Sequence, residues 1–386
     1  MSKFRIVNII ILSIIFASCT SISSFNSDEL EQININISDS EGFISASYII
    51  KSDSASVIKI DNSHIVSTTD VKICDGSFYF VSPIENTIDI FSSNGAYLRS
   101  IGKWGQGPGE YTAISDFYPT SNYIYILDFY IKKIFVYDYN NTCVREIKLD
   151  KIIGNKLFVI GDAIYLINEF SDTPMGKYHL FRISPDNEIE AFIPFKNVPG
   201  LAAEEPYSSN GEVIYYISRA DNIIYCISED DVRPVYKLNF GEYTLPDKYY
   251  KLDARELMVN GIDNKYCSGI DRILASEKYL FLFFWIGESR YIALYDITKN
   301  KLSHVCKGFD ARQMLFAKGI SHFTINDGCL YDIYSADFLK FQMEIWKPFP
   351  NIDKAYVKEM ENLKNSISDE DNPVIFKFYL KNEQKQ

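Results

Sequence analysis

One short unit recurs six times along this chain, and repetition at such intervals means stacked or radially arranged repeats, each burying its apolar face on the next. The unit is a turn-forming pair followed by an apolar residue and an aromatic. It reads Asp75-Gly76-Ser77-Phe78-Tyr79, Ser121-Asn122-Tyr123-Ile124-Tyr125 and Gly161-Asp162-Ala163-Ile164-Tyr165. It returns as Asn210-Gly211-Glu212-Val213-Ile214-Tyr215, Glu277-Lys278-Tyr279-Leu280-Phe281 and Asp327-Gly328-Cys329-Leu330-Tyr331. The aromatic column Tyr79, Tyr125, Tyr165, Tyr215, Phe281 and Tyr331 advances in steps of 40 to 66 residues. Most steps match the roughly 40 to 50 residues of one propeller blade.

A second apolar strand follows within each unit and ends in a polar turn. Ile88-Asp89-Ile90-Phe91 precedes Asn94-Gly95, Ile134-Phe135-Val136-Tyr137 precedes Asn140-Asn141, and Leu180-Phe181-Arg182-Ile183 precedes Pro185-Asp186. Ile224 to Ile227 and Ile292 to Tyr295 continue the series. Two strands joined by a turn form a hairpin, and six hairpins predict six blades. The fold class expected is all-β: a six-bladed β-propeller closed by an N-terminal strand, with one C-terminal helical insertion. A β-sandwich pair is the alternative, and it suits six similar units less well. In the sixth unit the strands Cys329 to Tyr334 and Val374 to Tyr379 flank the insertion. There Tyr356, Met360, Leu363 and Ile367 share a helix face behind Asp353 as N-cap. Ser56-Val57-Ile58-Lys59-Ile60 is expected to complete the last blade, which leaves no open edge between first and last blades.

Residues 1 to 19 read MSKFRIVNIIILSIIFASC. Lys3 and Arg5 form a positive start, and Ile6 to Ala17 an apolar stretch too short to span a bilayer. Small residues before Cys19 make a lipobox-like site, where acyl chains on Cys19 would replace the removed apolar segment as anchor. The expected layout is a lipoprotein signal peptide over 1–18, a flexible polar tether over 19–32, and a propeller over 33–386. The expected location is the cell envelope, lipid-anchored and facing the periplasm or the exterior.

Between the first two units stands Trp104-Gly105-Gln106-Gly107-Pro108-Gly109-Glu110-Tyr111. This string resembles the GQGPGEY mark of the six-bladed β-propeller lipoproteins of Gram-negative bacteria, relatives of the NHL-repeat propellers. Ile90 to Gly95, Asp116-Phe117 and Asn372-Pro373-Val374 extend the likeness over nearly all of the mature chain. The loops around Thr173 to Gly176, Val198 to Ser209 and Asp247 to Asp271 run longer than that pattern. The resemblance implies an exported, membrane-tethered propeller and says little of chemistry, because most such proteins have no established activity. Physically, the glycines and proline permit a tight return from one blade's outer strand to the next inner strand. Glu110 and Tyr111 are expected to pin that loop while Trp104 covers it. The other reading is a binding surface made by Trp104 and backbone N–H groups. The loop lacks the Lys-Ser/Thr pair and the following helix of a phosphate loop.

Catalytic constellations are scarce. His64, His179, His304 and His322 show no metal-ligand spacing, and only His304 and His322 flank a common blade junction. No CxxC pair and no GxSxG occur. Glu204-Glu205 and Asp230-Asp231 read as solvated turns, and Tyr279 to Trp285 as a buried strand. The formal charge of −12 excludes a nucleic-acid binder, which needs clustered Lys and Arg. The functional expectation is a non-catalytic binding or scaffold module for an envelope protein, a peptide or a glycan, with no cofactor and no metal. The alternative is an enzyme, either a metal-dependent lactonase or lyase or a carbohydrate-active propeller.

Overall fold

In the computed structural model the described residues are 30–51, 55–68, 71–169, 171–195, 203–218, 222–229, 231–252, 255–256, 265–310, 322–345 and 354–381. Cys19, the signal peptide, most of the tether, Asp230 and Asp353 lie outside them. Three strands come before the first blade: β1 (Glu31–Asn34), β2 (Ile44–Ser45) and β3 (Ser56–Lys59). Blade one is β4 (Lys72–Cys74), β5 (Ser77–Val81), β6 (Ile88–Phe91) and β7 (Tyr97–Ile101). Blade two is β8 (Asp116–Pro119), β9 (Tyr123–Asp128), β10 (Lys133–Asp138) and β11 (Cys143–Lys148). Blade three is β12 (Lys156–Ile160), β13 (Ala163–Ile167), β14 (Tyr178–Ile183) and β15 (Ile189–Pro194). Blade four is β16 (Tyr207–Ser209), β17 (Ile214–Ser218), β18 (Ile223–Ile227) and β19 (Val232–Asn239). Blade five is β20 (Cys267–Ala275), β21 (Tyr279–Ile286), β22 (Ser289–Asp296) and β23 (Lys301–Cys306); β24 (Phe309–Asp310) follows. Blade six takes β25 (His322–Asn326), β26 (Cys329–Tyr334) and β27 (Val374–Tyr379), and its outer strand is β3.

The protein is therefore a six-bladed β-propeller closed by its N-terminal strand. Ring closure pairs Lys59 with Val374 and Ser56 with Lys377, antiparallel. Asn372 reinforces the seam: its amide N–H groups donate to the carbonyls of Asp61 and His64, and its Oδ1 accepts from Val66 N. The aromatic column lies on the second strand of every blade, and all six rings are buried. Two of the turn pairs before it carry positive φ at both positions, as tight hairpins require: 48° and 71° at Asp75 and Gly76, 46° and 66° at Asp327 and Gly328.

Two features go beyond the sequence reading. The insertion between β26 and β27 holds two helices, α1 (Ala336–Ile345) and α2 (Lys354–Asn365), where one was expected. Leu339, Met343, Met360, Leu363 and Ile367 join Phe281, Phe283 and Phe376 in the core shared by blades five and six. Ahead of β3, the chain forms a strap. Glu31 and Gln32, assigned to the tether from sequence, pair in β1 with β19 in parallel register. Glu41 then bridges Cys306, β2 pairs with β24, and Ile50 bridges Leu380. The strap thus covers the outer edges of blades four and five and meets blade six just beyond the end of β27.

Within each blade the strands run alternately from the channel outward. The first-to-second turns therefore open on one mouth of the channel. The second-to-third loops and the connectors between blades gather at the other mouth, which holds the motif loop and the helical insertion.

Candidate functional site

The central channel encloses about 480 Å³ and takes side chains from all six innermost strands: Lys72, Tyr118, Lys156, Tyr207, Arg272 and Asn326. Volumes of this size suit small ligands. Lys72 Nζ lies 3.6 Å from Asp116 Oδ1 and 5.7 Å from the Tyr207 ring centre. The other oxygen of Asp116 accepts from Leu157 N at 2.8 Å, and the Tyr207 hydroxyl donates to Leu157 O at 2.9 Å. Burial raises the Tyr118 and Tyr207 phenols, so both stay protonated at neutral pH. Arg272, only 2% exposed, donates from Nε to Glu205 Oε2 at 2.8 Å. Lys156 Nζ donates to the Glu204 main-chain oxygen at 2.5 Å, while the Glu204 carboxylate is 3.8 Å from Arg290.

Sequence reasoning passed over these residues. The visible signal is a charged pair, Asp271-Arg272, inside the otherwise apolar strand β20. Glu204 and Glu205, read as a solvated turn, instead face the two arginines.

The side chains of His64, His179 and His304 sit at three separate places. His64 stacks on Tyr97 at 4.0 Å and lies 3.6 Å from Asp89. His179 is buried on β14 against Ser218 Oγ at 3.2 Å, and desolvation lowers its pKa to about 4. His304 is on the outer strand of blade five, bonded to Glu41 of the strap at 2.8 Å. His322 begins the inner strand of blade six, and its side chain lies outside what the structure describes. Among the described residues no group of three or more His, Cys, Asp or Glu is placed to hold a metal ion.

The motif loop connects β7 to β8 and is bonded internally. Gly105 N donates to Tyr111 O at 2.9 Å and Tyr111 N to Lys103 O at 3.1 Å. Glu110 accepts from Gly107 N at 2.8 Å, and Glu146 of blade two accepts from Gly109 N at 2.7 Å. Tyr111 is fully buried and its hydroxyl reaches Asn86 O at 2.5 Å, in the β5–β6 turn. A side chain at Gly102 would meet that hydroxyl at 2.2 Å. Gln106 and Pro108 stand exposed at the loop's tip. Trp104 lies on the outer side, 63% exposed, its indole N–H donating to Thr112 O at 3.0 Å.

Next to the motif loop, to which Asp128 ties it, the β9–β10 turn exposes Phe129, Tyr130 and Ile131, with Tyr130 at 76%. A single buried carboxylate joins the two. One oxygen of Asp128 accepts from Thr112 N and Oγ1 at 2.7 Å and from Ala113 N at 3.0 Å. Its other oxygen accepts from Tyr130 N at 3.0 Å and Ile131 N at 3.2 Å. The result is two loops bearing exposed apolar and aromatic side chains, tied together by Asp128 on the connector side of blades one and two.

The profile of a family described as "Domain of unknown function (DUF4934)" matches residues 34–379. No curated protein matches the sequence. Among solved structures, a protein described as exported from Bacteroides fragilis shares 17% identity over 91% of this chain and 99% of its own, with a TM-score of 0.67. A DUF4221-family member from Bacteroides vulgatus shares 11% over 86% of this chain and 100% of its own, at 0.46. Virginiamycin B lyase from Staphylococcus aureus shares 12% over 72% of this chain and 80% of its own, at 0.39.

Proposed function

The chain belongs to the DUF4934 family, whose description assigns no activity, and from that premise we propose that it is an envelope lipoprotein whose propeller serves as a non-catalytic binding or scaffold module. Acyl chains on Cys19 are its membrane anchor in this reading. The supports for that address are the leader sequence and the exported description of the similar Bacteroides fragilis protein. Among the described residues no helix is long and apolar enough to cross a membrane.

The observation that carries the binding role is the Trp104, Phe129, Tyr130 and Ile131 patch. Four large apolar side chains left in water, on loops tied down by a buried carboxylate, support a recognition role. The partner class is an envelope protein, a peptide or a glycan. Among the described residues no cluster of His, Cys, Asp or Glu supports the metal-dependent lactonase or lyase alternative.

The test is an affinity pull-down from detergent-solubilised envelope with tagged full-length protein, read by mass spectrometry. Cys19→Ala and the double variant Trp104→Ala, Tyr130→Ser serve as controls; both patch residues are exposed, so their loss costs within about 0.5 kcal/mol of stability. One envelope protein enriched by the wild type and lost with the patch variant supports the reading. No enrichment, or equal capture by the patch variant, counts against it.

A further inference from the structure

We infer that the connector-side mouth of the channel is a binding site for a small organic anion, its carboxylate or phosphate oxygens held by Lys72 and Lys156. These lysines are the first residues of β4 and β12, on either side of β8, so both ammonium groups enter the mouth where the connectors gather. The two differ in how their charge is met. Lys72 Nζ lies 3.6 Å from Asp116 Oδ1, whose other oxygen accepts from Leu157 N, and it sits over the Tyr207 ring. The hydrogen bond of Lys156 goes to a main-chain carbonyl, which carries no charge to match it. The neighbouring carboxylates are turned to arginines, Glu205 to Arg272 and Glu204 to Arg290.

The channel is also polarised along its axis. At the far mouth, the turns that follow β4 and β25 place Asp75 and Asp327 on the lining. An anion entering is therefore drawn to the lysine end and repelled from the other. Charge-assisted N–H to oxyanion bonds are the strong class of hydrogen bond, and here they act inside a walled space. The rest of the lining suits a polar body on the same ligand. Tyr118 and Tyr207 line the same mouth, and Asn326 Oδ1 is buried on the lining without a hydrogen-bond partner. A hydroxyl donor on the ligand would satisfy that oxygen. The volume of about 480 Å³ leaves room for a sugar acid.

Isothermal titration of the mature chain with glucuronate and with inorganic phosphate tests this, with glucose as the neutral probe. The expected result is saturable binding of at least one anion below about 10 mM, weakened as salt rises. Lys156→Met should weaken it by about tenfold or more, because that lysine can be lost without leaving a buried carboxylate unmatched. Lys340→Met, on α1 and paired with Asp369 away from the channel lining, should leave it unchanged. No binding of either anion up to about 10 mM overturns the assignment. Equal binding of glucose, or wild-type affinity in Lys156→Met, overturns it as well. Thermal unfolding of each variant separates a lost site from a lost fold.

Discussion

His179 shows how one side chain can set the pH tolerance of a propeller. Its Nε2 meets Ser218 Oγ, its ring lies 4.2 Å from Phe195, and its Nδ1 is buried without a hydrogen-bond partner. Burial therefore favours the neutral imidazole, and the pKa falls to about 4 from the unfolded value near 6.5. Between those two pH values the unfolded chain binds a proton that the folded chain refuses. Stability is thus full above about pH 6.5 and is lost as pH falls toward about 4, by on the order of 3 kcal/mol. Urea midpoints at pH 7 and pH 5 should show this loss in the wild type and a smaller one in His179→Gln. An unchanged difference between the two proteins would reject the assignment. The pair is sealed in the core, so Ser218 and His179 are packing partners and not a nucleophile with its base.

At the scale of elements, Asp128 links two loops from different blade positions with five hydrogen bonds. Asp128→Asn keeps one oxygen and turns an NH2 group toward backbone donors. The expected cost is about 2 to 3 kcal/mol, because N–H groups lose their acceptor in a buried place. Hydrogen exchange should speed up at Thr112, Ala113, Tyr130 and Ile131 before the rest of the protein responds. Which elements the sequence revealed follows from where they lie. The second and third strands of each blade are sandwiched on both faces, as Ile88–Phe91 and Ala163–Ile167 are, and they read as plain apolar runs. The inner strands border a polar channel, and the outer ones are half solvated, as the alternating Cys143–Lys148 shows, so their signal is weak. The channel residues were hidden for the same reason. A lysine opening a short strand looks like a solvated end until six such strands converge. The motif loop was legible as a turn because its glycines are demanded by contacts, and Glu110 and Tyr111 do bond within it. The exposure of Trp104 was not legible, since nothing in the string says which side faces water. Helix α1 escaped notice because Phe338, Phe341 and Ile345 stay exposed and blur its apolar stripe.

For the whole molecule the seam between first and last blades is the decisive contact. Gly95, in the β6–β7 turn, has φ +87°, and a side chain there would meet Lys59 O at 2.1 Å. Its carbonyl accepts from Asp61 N at 2.9 Å, so blade one grips the strand that closes blade six. Gly95→Ala combines a disfavoured backbone region with a backbone clash and should cost about 3 kcal/mol. A thermal midpoint equal to the wild type would show that the seam gives way at no cost. The seam also orders events in time. Its two sides, Ser56–Lys59 and Val374–Tyr379, are separated by nearly the whole chain, and loop closure over such a span is slow. Strand β3 must wait for β27, the last of the described strands, to be made. Until then the growing chain is an open arc with a bare strand edge at each end, the state in which it most needs a chaperone's company.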